Sequence, residues 1–424
     1  MKQSQQPNSE AKMQVLFLHN NFPAQFGGLA GHLVDHGWKV WFGTQRQDLS
    51  HPRVNTFHYT PHREPSDNIH PYSGSWEKAV INGQSVARAC IELKRTQQLN
   101  PDIVVSHSGW GPGLFVKDIW PEARTIGYFE WYYNSPGPDV SFLDPTPPSY
   151  DQAARSRARN APILLDLASV DIGICPTHWQ KSQFPATFDA KLLVHHDGVD
   201  TQYFRPDRKA PLSLKGVELP ADAEIVTYVA RGMEPYRGFP QFMAALAVLQ
   251  AERPELQAVI VGEDRVAYGK KLAEGDSHLK RALSENAIDA ARTHFVGYLS
   301  RDEYRRVLAA SSAHVYLTTP FVLSWSMMEA MAMGCALVGS DTAPVREVAN
   351  ESNAFIVDFH DRNSIVAGLR AALTEHDRSR RIRSAARRTI ENTYAAERLL
   401  AEKRRVMESL VAARAPAQDI RKSA

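Results

Sequence analysis

Two arginines close an apolar run in EIVTYVARGMEPYRGFP, Arg231 at its end and Arg237 just beyond it. Guanidinium groups stay charged and bond phosphate oxygens in pairs, so two of them at the carboxyl end of a strand are suited to neutralising a diphosphate. The alternative for either is an ion pair with Glu234 or a surface carboxylate. A second candidate phosphate contact is NNFPAQFGG, which separates an apolar run from a helical pattern and ends in Gly27 and Gly28. Glycines there admit a ligand close to the backbone, and the helix beyond offers free N–H groups and the positive end of its dipole. The spacing is not GxGxxG, and a plain turn needing positive φ would also use these glycines. In FVLSWSMMEAMAMGCALVGSD, Ser324 or Ser326 is placed to cap a helix and the methionines supply packing. Glu329 lies in the first turns of that helix, where a carboxylate facing a cleft can accept bonds from paired hydroxyls such as those of a ribose.

These residues need a scaffold. MQVLFLHN (13–20) reads as a buried strand, LAGHLVDHG as a helix stopped by Gly37, and WKVWFG as the next strand. DIVVSH (102–107) follows a helical stretch over 85–99, and RTIGYF (124–129) follows in turn. The same grammar restarts at 224–231, 257–264, 293–300, 313–319 and 335–341. Strands alternating with helices predict doubly wound parallel sheets. Residues 197–223 lack either periodicity and suit a linker, with a boundary near 205. The expected organisation is therefore a disordered tail over 1–12, one α/β domain over 13–204 and a second over 205–385. A C-terminal helix and tail over 386–424 complete it, packing back on the first domain.

The 424 residues suffice for two such domains, and 43% hydrophobic with 23% charged side chains exclude disorder as the main state. With 49 basic and 47 acidic residues the net charge is +2, too balanced for nucleic acid to be the partner. Cys90, Cys175 and Cys335 form no CxxC, and the histidines lack the spacing of a two-His, one-carboxylate site, so neither a zinc site nor any other metal is expected. The polar amino terminus and the absence of a long apolar window lead us to expect a cytoplasmic protein.

HHDGVDTQYFRP, VARGMEPYRGFPQF, HFVGYL and MEAMAMGCALVGSDTAPVRE together resemble the retaining nucleotide-sugar transferases of glycosyltransferase family 4, over nearly the whole chain. The resemblance implies the GT-B fold, two Rossmann-like domains facing a cleft. It implies that Arg231 and Arg237 hold the donor diphosphate with Gly27 and Gly28 opposite, that Glu329 binds the ribose, and that Val296, Gly297 and Tyr298 border the base. Phe321, Ser324 and Trp325 would line the donor-sugar region. The chain departs from the family pattern in four places. Phe321 stands where the first Glu of E-x7-E belongs, Arg231 and Arg237 are one residue farther apart than usual with Arg replacing Lys, Ala343-Pro344 replaces Gly-Gly, and Asp197 replaces the linker Asn.

The family commonly places a histidine near the anomeric carbon, after a strand of the first domain. Glu130 matches it by location and His107 by residue type, and both remain candidate catalytic groups. The implied reaction moves a sugar from a nucleoside diphosphate to an acceptor hydroxyl with retention, with no cofactor or metal beyond the nucleotide sugar. A sugar, lipid-linked or other hydroxyl acceptor in bacterial surface polysaccharide or glycoconjugate synthesis fits it. Residues 128–150 are the expected acceptor lining. Arg155, Arg157 and Arg159 leave contact with the inner membrane surface open. The competing readings are an inactive sugar- or partner-binding relative, suggested by Phe321, and an epimerase or phosphorylase on the same architecture.

Overall fold

The structure, a computed structural model, describes residues 12–207 and 210–413. Apart from Lys12 the expected N-terminal tail lies outside the described residues, as does the chain beyond 413. The first sheet contains β1 (Gln14–Leu18), β2 (Lys39–Thr44), β3 (Asn55–His58), β4 (Ile103–His107), β5 (Arg124–Tyr128), β6 (Ile172–Cys175) and β7 (Leu192–Val194). They lie in the order β3-β2-β1-β4-β5-β6-β7, all parallel. Val15 to Leu18 have no exposed surface, as expected of a strand covered by helices on both faces.

Next comes a short antiparallel hairpin of β8 (Leu212–Leu214) and β9 (Val217–Leu219), inside the stretch expected to be an irregular linker. Lys215 and Gly216 carry φ of 47° and 82°, the paired positive values of a two-residue hairpin turn. The second sheet is β10 (Ile225–Gly232), β11 (Gln257–Glu263), β12 (Thr293–Gly297), β13 (Ala313–Tyr316), β14 (Leu337–Ser340) and β15 (Phe355–Val357), in the order β12-β11-β10-β13-β14-β15 and again all parallel.

Each sheet reverses its winding once, between β1 and β4 in the first and between β10 and β13 in the second. Crevices for ligands open at the carboxyl ends of strands at such reversals. His107, Glu130, Gly27 and Gly28 lie at or near the first of them, and Arg231 and Arg237 at the second.

The chain crosses between the domains twice, side by side. Val199 bridges Ala395 in parallel, and Gly198, at φ +88°, would place a Cβ 2.6 Å from Ala396 Cα, so only glycine fits there. Helix Ala396–Ala412 then packs back on the first domain, with Leu400 and Met407 against the core of Val15, Phe17, Leu29 and Leu33. A buried ion pair pins it there. Lys403 Nζ lies 3.1 Å from Asp197 Oδ1, both almost fully covered, and Tyr128 Oη donates to Asp197 Oδ2 at 2.6 Å. Lys403 and Tyr128 hold the Asp197 carboxyl below its usual range despite burial, which alone would raise it.

Candidate functional site

At the first reversal, three titratable groups follow the adjacent strands β1, β4 and β5. His107 ends β4 and is 3% exposed. Its Nδ1 lies 2.9 Å from the Ser108 carbonyl oxygen, to which it donates, leaving Nε2 directed at Glu130 Oε2, 3.3 Å away. Glu130 Oε1 accepts from Gln25 Nε2 at 2.6 Å. Burial would push the Glu130 carboxyl up, but His107 and Gln25 outweigh it and hold the group below its usual range, hence ionised. His107 and Glu130, alternatives in the sequence, thus form one pair. His19, just after β1, sits edge-on to His107 with ring centroids 5.0 Å apart. Burial, reinforced by His107, pushes it down to about 3, so its ring is neutral. Its Nδ1 lies 2.8 Å from the Asn21 N–H and 3.1 Å from the Asn21 carbonyl oxygen. Sequence reading missed His19 and Gln25, although a polar residue directly after a buried strand was the signal used for His107.

Gly27 and Gly28 do not serve a positive-φ turn. Gly27 has φ −58° and opens helix Gly27–Asp35. A Cβ there would come within 2.9 Å of the Pro23 ring, so it is space beside the helix terminus that calls for glycine.

At the second reversal Arg237 is buried. Its Nη1 donates to Tyr316 Oη, Thr318 Oγ1 and the Val322 carbonyl at 3.0, 2.8 and 3.0 Å. The Tyr268, Tyr316 and Phe321 rings lie 5.3, 6.0 and 6.0 Å from the guanidinium. Arg231 is exposed and reaches Tyr268 Oη at 3.4 Å. Among the described residues neither arginine forms an ion pair. Glu234, the carboxylate that could have neutralised them, instead accepts from the backbone of Ala267 and Tyr268.

Tyr316 Oη also accepts from Ser324 N at 2.8 Å, tying Arg237 to the cap of helix Trp325–Ala332. Ser324 Oγ accepts from Ser326 N, the capping role expected of it. Glu329 is half-buried and accepts from Tyr304 Oη at 2.9 Å. Burial pushes its carboxyl up, partly opposed by that hydroxyl and by Arg301.

A cavity of about 660 Å³ joins the two domains. Gly27 and Gly28 at a helix amino terminus line one side, Trp325, Glu329 and Arg301 the other, and Asp197 and Lys403 the floor. Arg301, a cation at this wall, was not singled out from sequence. Arg231, Arg237, Phe321 and Ser324 stand outside the cavity, as do His107 and Glu130, whose partner Gln25 lines it. Val296, Gly297 and Tyr298 stand outside it too: the Val296 side chain is buried beneath the β8–β9 hairpin, and Tyr298 is 79% exposed.

Within 128–150, the expected acceptor lining, three side chains reach the second domain. Trp131 meets Phe321 edge-on at 4.8 Å, Tyr236 Oη donates to Asp139 Oδ2 at 2.9 Å, and Phe142 packs on Phe359 at 5.1 Å. Much of this aromatic stretch is a strap holding the domains together across the cleft. Glu347 adds a further tie, accepting from the His178 and Trp179 N–H groups, each at 2.8 Å. Among the described residues no cluster of three His, Cys, Asp or Glu could hold a metal, and no helix is long and apolar enough to cross a membrane.

Residues 36–204 match the family model described as Glycosyl transferase family 4 group, and residues 213–389 match that of Glycosyl transferases group 1. The chain belongs to glycosyltransferase family 4. It is 24% identical over 402 residues to the D-inositol 3-phosphate glycosyltransferase of Streptomyces avermitilis, covering 82% of this chain and 86% of the relative. It is also 32% identical over 179 residues to the phosphatidyl-myo-inositol mannosyltransferase of Mycolicibacterium smegmatis, covering 41% of this chain and 40% of the relative. Sucrose-phosphate synthase from Thermosynechococcus elongatus superposes with TM-score 0.73 at 17% identity, covering 95% of this chain and all of that one. Anabaena HepE, solved with UDP and glucose, gives 0.65 at 15%, covering 94% of this chain and 100% of that one. At these identities the superpositions establish the fold, GT-B. This glycosyltransferase has the two-domain architecture and cleft expected from its motifs.

Proposed function

We propose that this glycosyltransferase takes its sugar from a nucleoside diphosphate bound across the cleft, and moves it to an acceptor hydroxyl with retention of anomeric configuration. The observation that carries this reading is the cavity joining the helix terminus at Gly27 and Gly28 to Glu329 in the opposite domain. Helix N–H groups suit a phosphate, and a half-buried carboxylate suits a pair of ribose hydroxyls. The Arg237 guanidinium, coupled through Tyr316 to the Glu329 helix, would take up the negative charge that builds on the departing phosphate, with Arg231 at the rim.

Glu130 then serves as an electrostatic partner of the reacting sugar. An anomeric carbon losing its leaving group gains positive charge, and the ionised carboxylate held by His107 and Gln25 is matched to it. Both Glu130 oxygens are engaged, which suits holding a charge better than moving a proton. The departing phosphate would take the acceptor proton. Front-face retention of this kind rests on family membership and on this charge arrangement. Fixed cations and helix amides at the leaving group are the reason we propose a reaction that needs no metal.

The two curated relatives act, by their names, on inositol phosphates, one of them in a lipid. This supports a sugar, cyclitol or lipid-linked acceptor in bacterial glycoconjugate or surface-polysaccharide synthesis, made in the cytoplasm with peripheral contact at the membrane. The test is calorimetric titration with UDP, GDP, dTDP, ADP and inorganic phosphate, without added metal. Tight binding of one nucleoside diphosphate and not of phosphate is expected. Binding of none, with the protein folded, would overturn the reading in favour of an inactive relative.

A further inference from the structure

Trp110 lies in the turn after β4, three residues past His107. It is 40% exposed, although large aromatic side chains are ordinarily well covered. One face is spent, since its ring stacks on His107 with centroids 4.1 Å apart and planes within 9°. His19 meets it edge-on at 5.2 Å. The uncovered surface is therefore the opposite face and its rim, one imidazole away from the Glu130 carboxylate.

The indole is also held rigidly. Gly109 and Gly111 have φ of +89° and +94°, and a Cβ on Gly111 would fall 1.9 Å from the Ala79 carbonyl oxygen, so the turn cannot relax around another residue there. Buried Asp166 accepts from Ser108 Oγ at 2.8 Å and from Gly109 N at 3.2 Å. Asn82 Nδ2 donates to the Trp110 carbonyl at 2.9 Å, and Gln45 Nε2 to Asn82 Oδ1 at 3.2 Å. A half-exposed aromatic on a turn braced this way, beside amide side chains, is a preformed site rather than an incidental surface residue.

We propose that the outward face of Trp110 is a stacking platform for the acceptor, and that the acceptor presents a ring polyol, a pyranose or a cyclitol, at the reacting hydroxyl. The C–H face of such a ring packs on an indole. A straight-chain or bare lipid alcohol has no such face. This rests on the transferase reading above, which places the reacting carbon near Glu130.

The experiment uses full-length protein labelled with 5-fluorotryptophan, eight residues in all. Trp110→Phe, which keeps a ring against His107, assigns the Trp110 fluorine resonance by its loss. With whichever of UDP, GDP, dTDP or ADP binds held at saturation, myo-inositol, methyl mannoside and methyl glucoside are titrated to tens of millimolar, with glycerol as the acyclic control. A saturable shift of the Trp110 resonance with at least one ring polyol and not with glycerol is expected. Calorimetric affinity for that polyol should fall at least fivefold in Trp110→Phe and further in Trp110→Leu, with nucleotide affinity unchanged. No shift with any ring polyol while the nucleotide is bound would overturn the platform alone. Failure of every nucleotide to bind would overturn the transferase reading and the platform with it.

Discussion

Replacing Arg237 by methionine separates binding from folding. The guanidinium is 7% exposed and held by three neutral oxygens and three rings, with no carboxylate paired to it among the described residues. The Glu234 carboxylate acts on it from a distance and not as a contact pair, and exchange of a buried charge for an apolar side chain of similar length is often neutral. Two of the three oxygens it leaves keep other bonds, since Tyr316 Oη still accepts from Ser324 N and Thr318 Oγ1 still donates to the Thr319 carbonyl. Stability should therefore change by no more than about 1 kcal/mol. Loss of a charge-assisted phosphate contact costs about 1.5–3 kcal/mol, which is roughly a 10- to 150-fold weaker Kd for the nucleoside diphosphate. Paired calorimetric titrations with the nucleoside diphosphate and monophosphate, beside a urea melt, measure both quantities. The reasoning requires the diphosphate to lose more than the monophosphate. Unchanged diphosphate affinity would remove Arg237 from the site, and an equal loss for both would mean that the cage, not the charge, was disturbed.

Other perturbations test the frame around it. Lys403→Met strands the Asp197 carboxylate in the interdomain floor and should cost about 3–5 kcal/mol in a urea melt; adding Asp197→Asn should restore most of that, and a full loss in the double variant would refute the pairing. Burial pushes Asp166 up from 3.8 to about 6, so the folded state binds the extra proton between those values and stability falls as pH rises through them. Asp166→Asn should then stabilise the protein at pH 7 by about 3 kcal/mol, with the gain fading as pH drops below 6; a gain constant with pH would show that charge burial is not its source. Glu130→Gln should lower transfer at saturating donor by about 10²–10³-fold, read as a rate with donor affinity measured separately, and full turnover would exclude Glu130 from the chemistry.

The long-range order of the fold was legible because β1, β4, β10, β11 and β13 are short apolar runs closed by polar, Gly or Pro residues, a pattern that parallel strands buried on both faces impose. β3, β6, β7 and β15 were not. NTFH is too mixed and LLV too short to stand out locally, and they pair only because a neighbouring strand already exists. The hairpin at Lys215-Gly216 was missed for another reason: its signal is two positive φ values, and lysine is a poor advertisement for one of them. In the site, residue types were readable and pairings were not. Glu130 and His107 looked like rivals because 23 positions of chain separate them, while the register of β4 beside β5 sets them 3.3 Å apart.

Two of the departures from the family pattern have partners distant in sequence. Asp197, where the family has Asn, faces Lys403 on helix Ala396–Ala412, so the extra charge in the linker is balanced by one 206 positions away. Phe321, where the family has an acid, is surrounded by Trp131, Tyr236 and Tyr268 at 4.8, 5.5 and 5.2 Å, and these rings come from both domains. An acidic group in that setting would be a desolvated charge against aromatic faces. Read singly, Phe321 suggested a lost function. Read with its neighbours, it belongs to a wall of rings that joins the strap over 131–143 to the Arg237 cage, so ring packing fills the place where the family pattern has an acid.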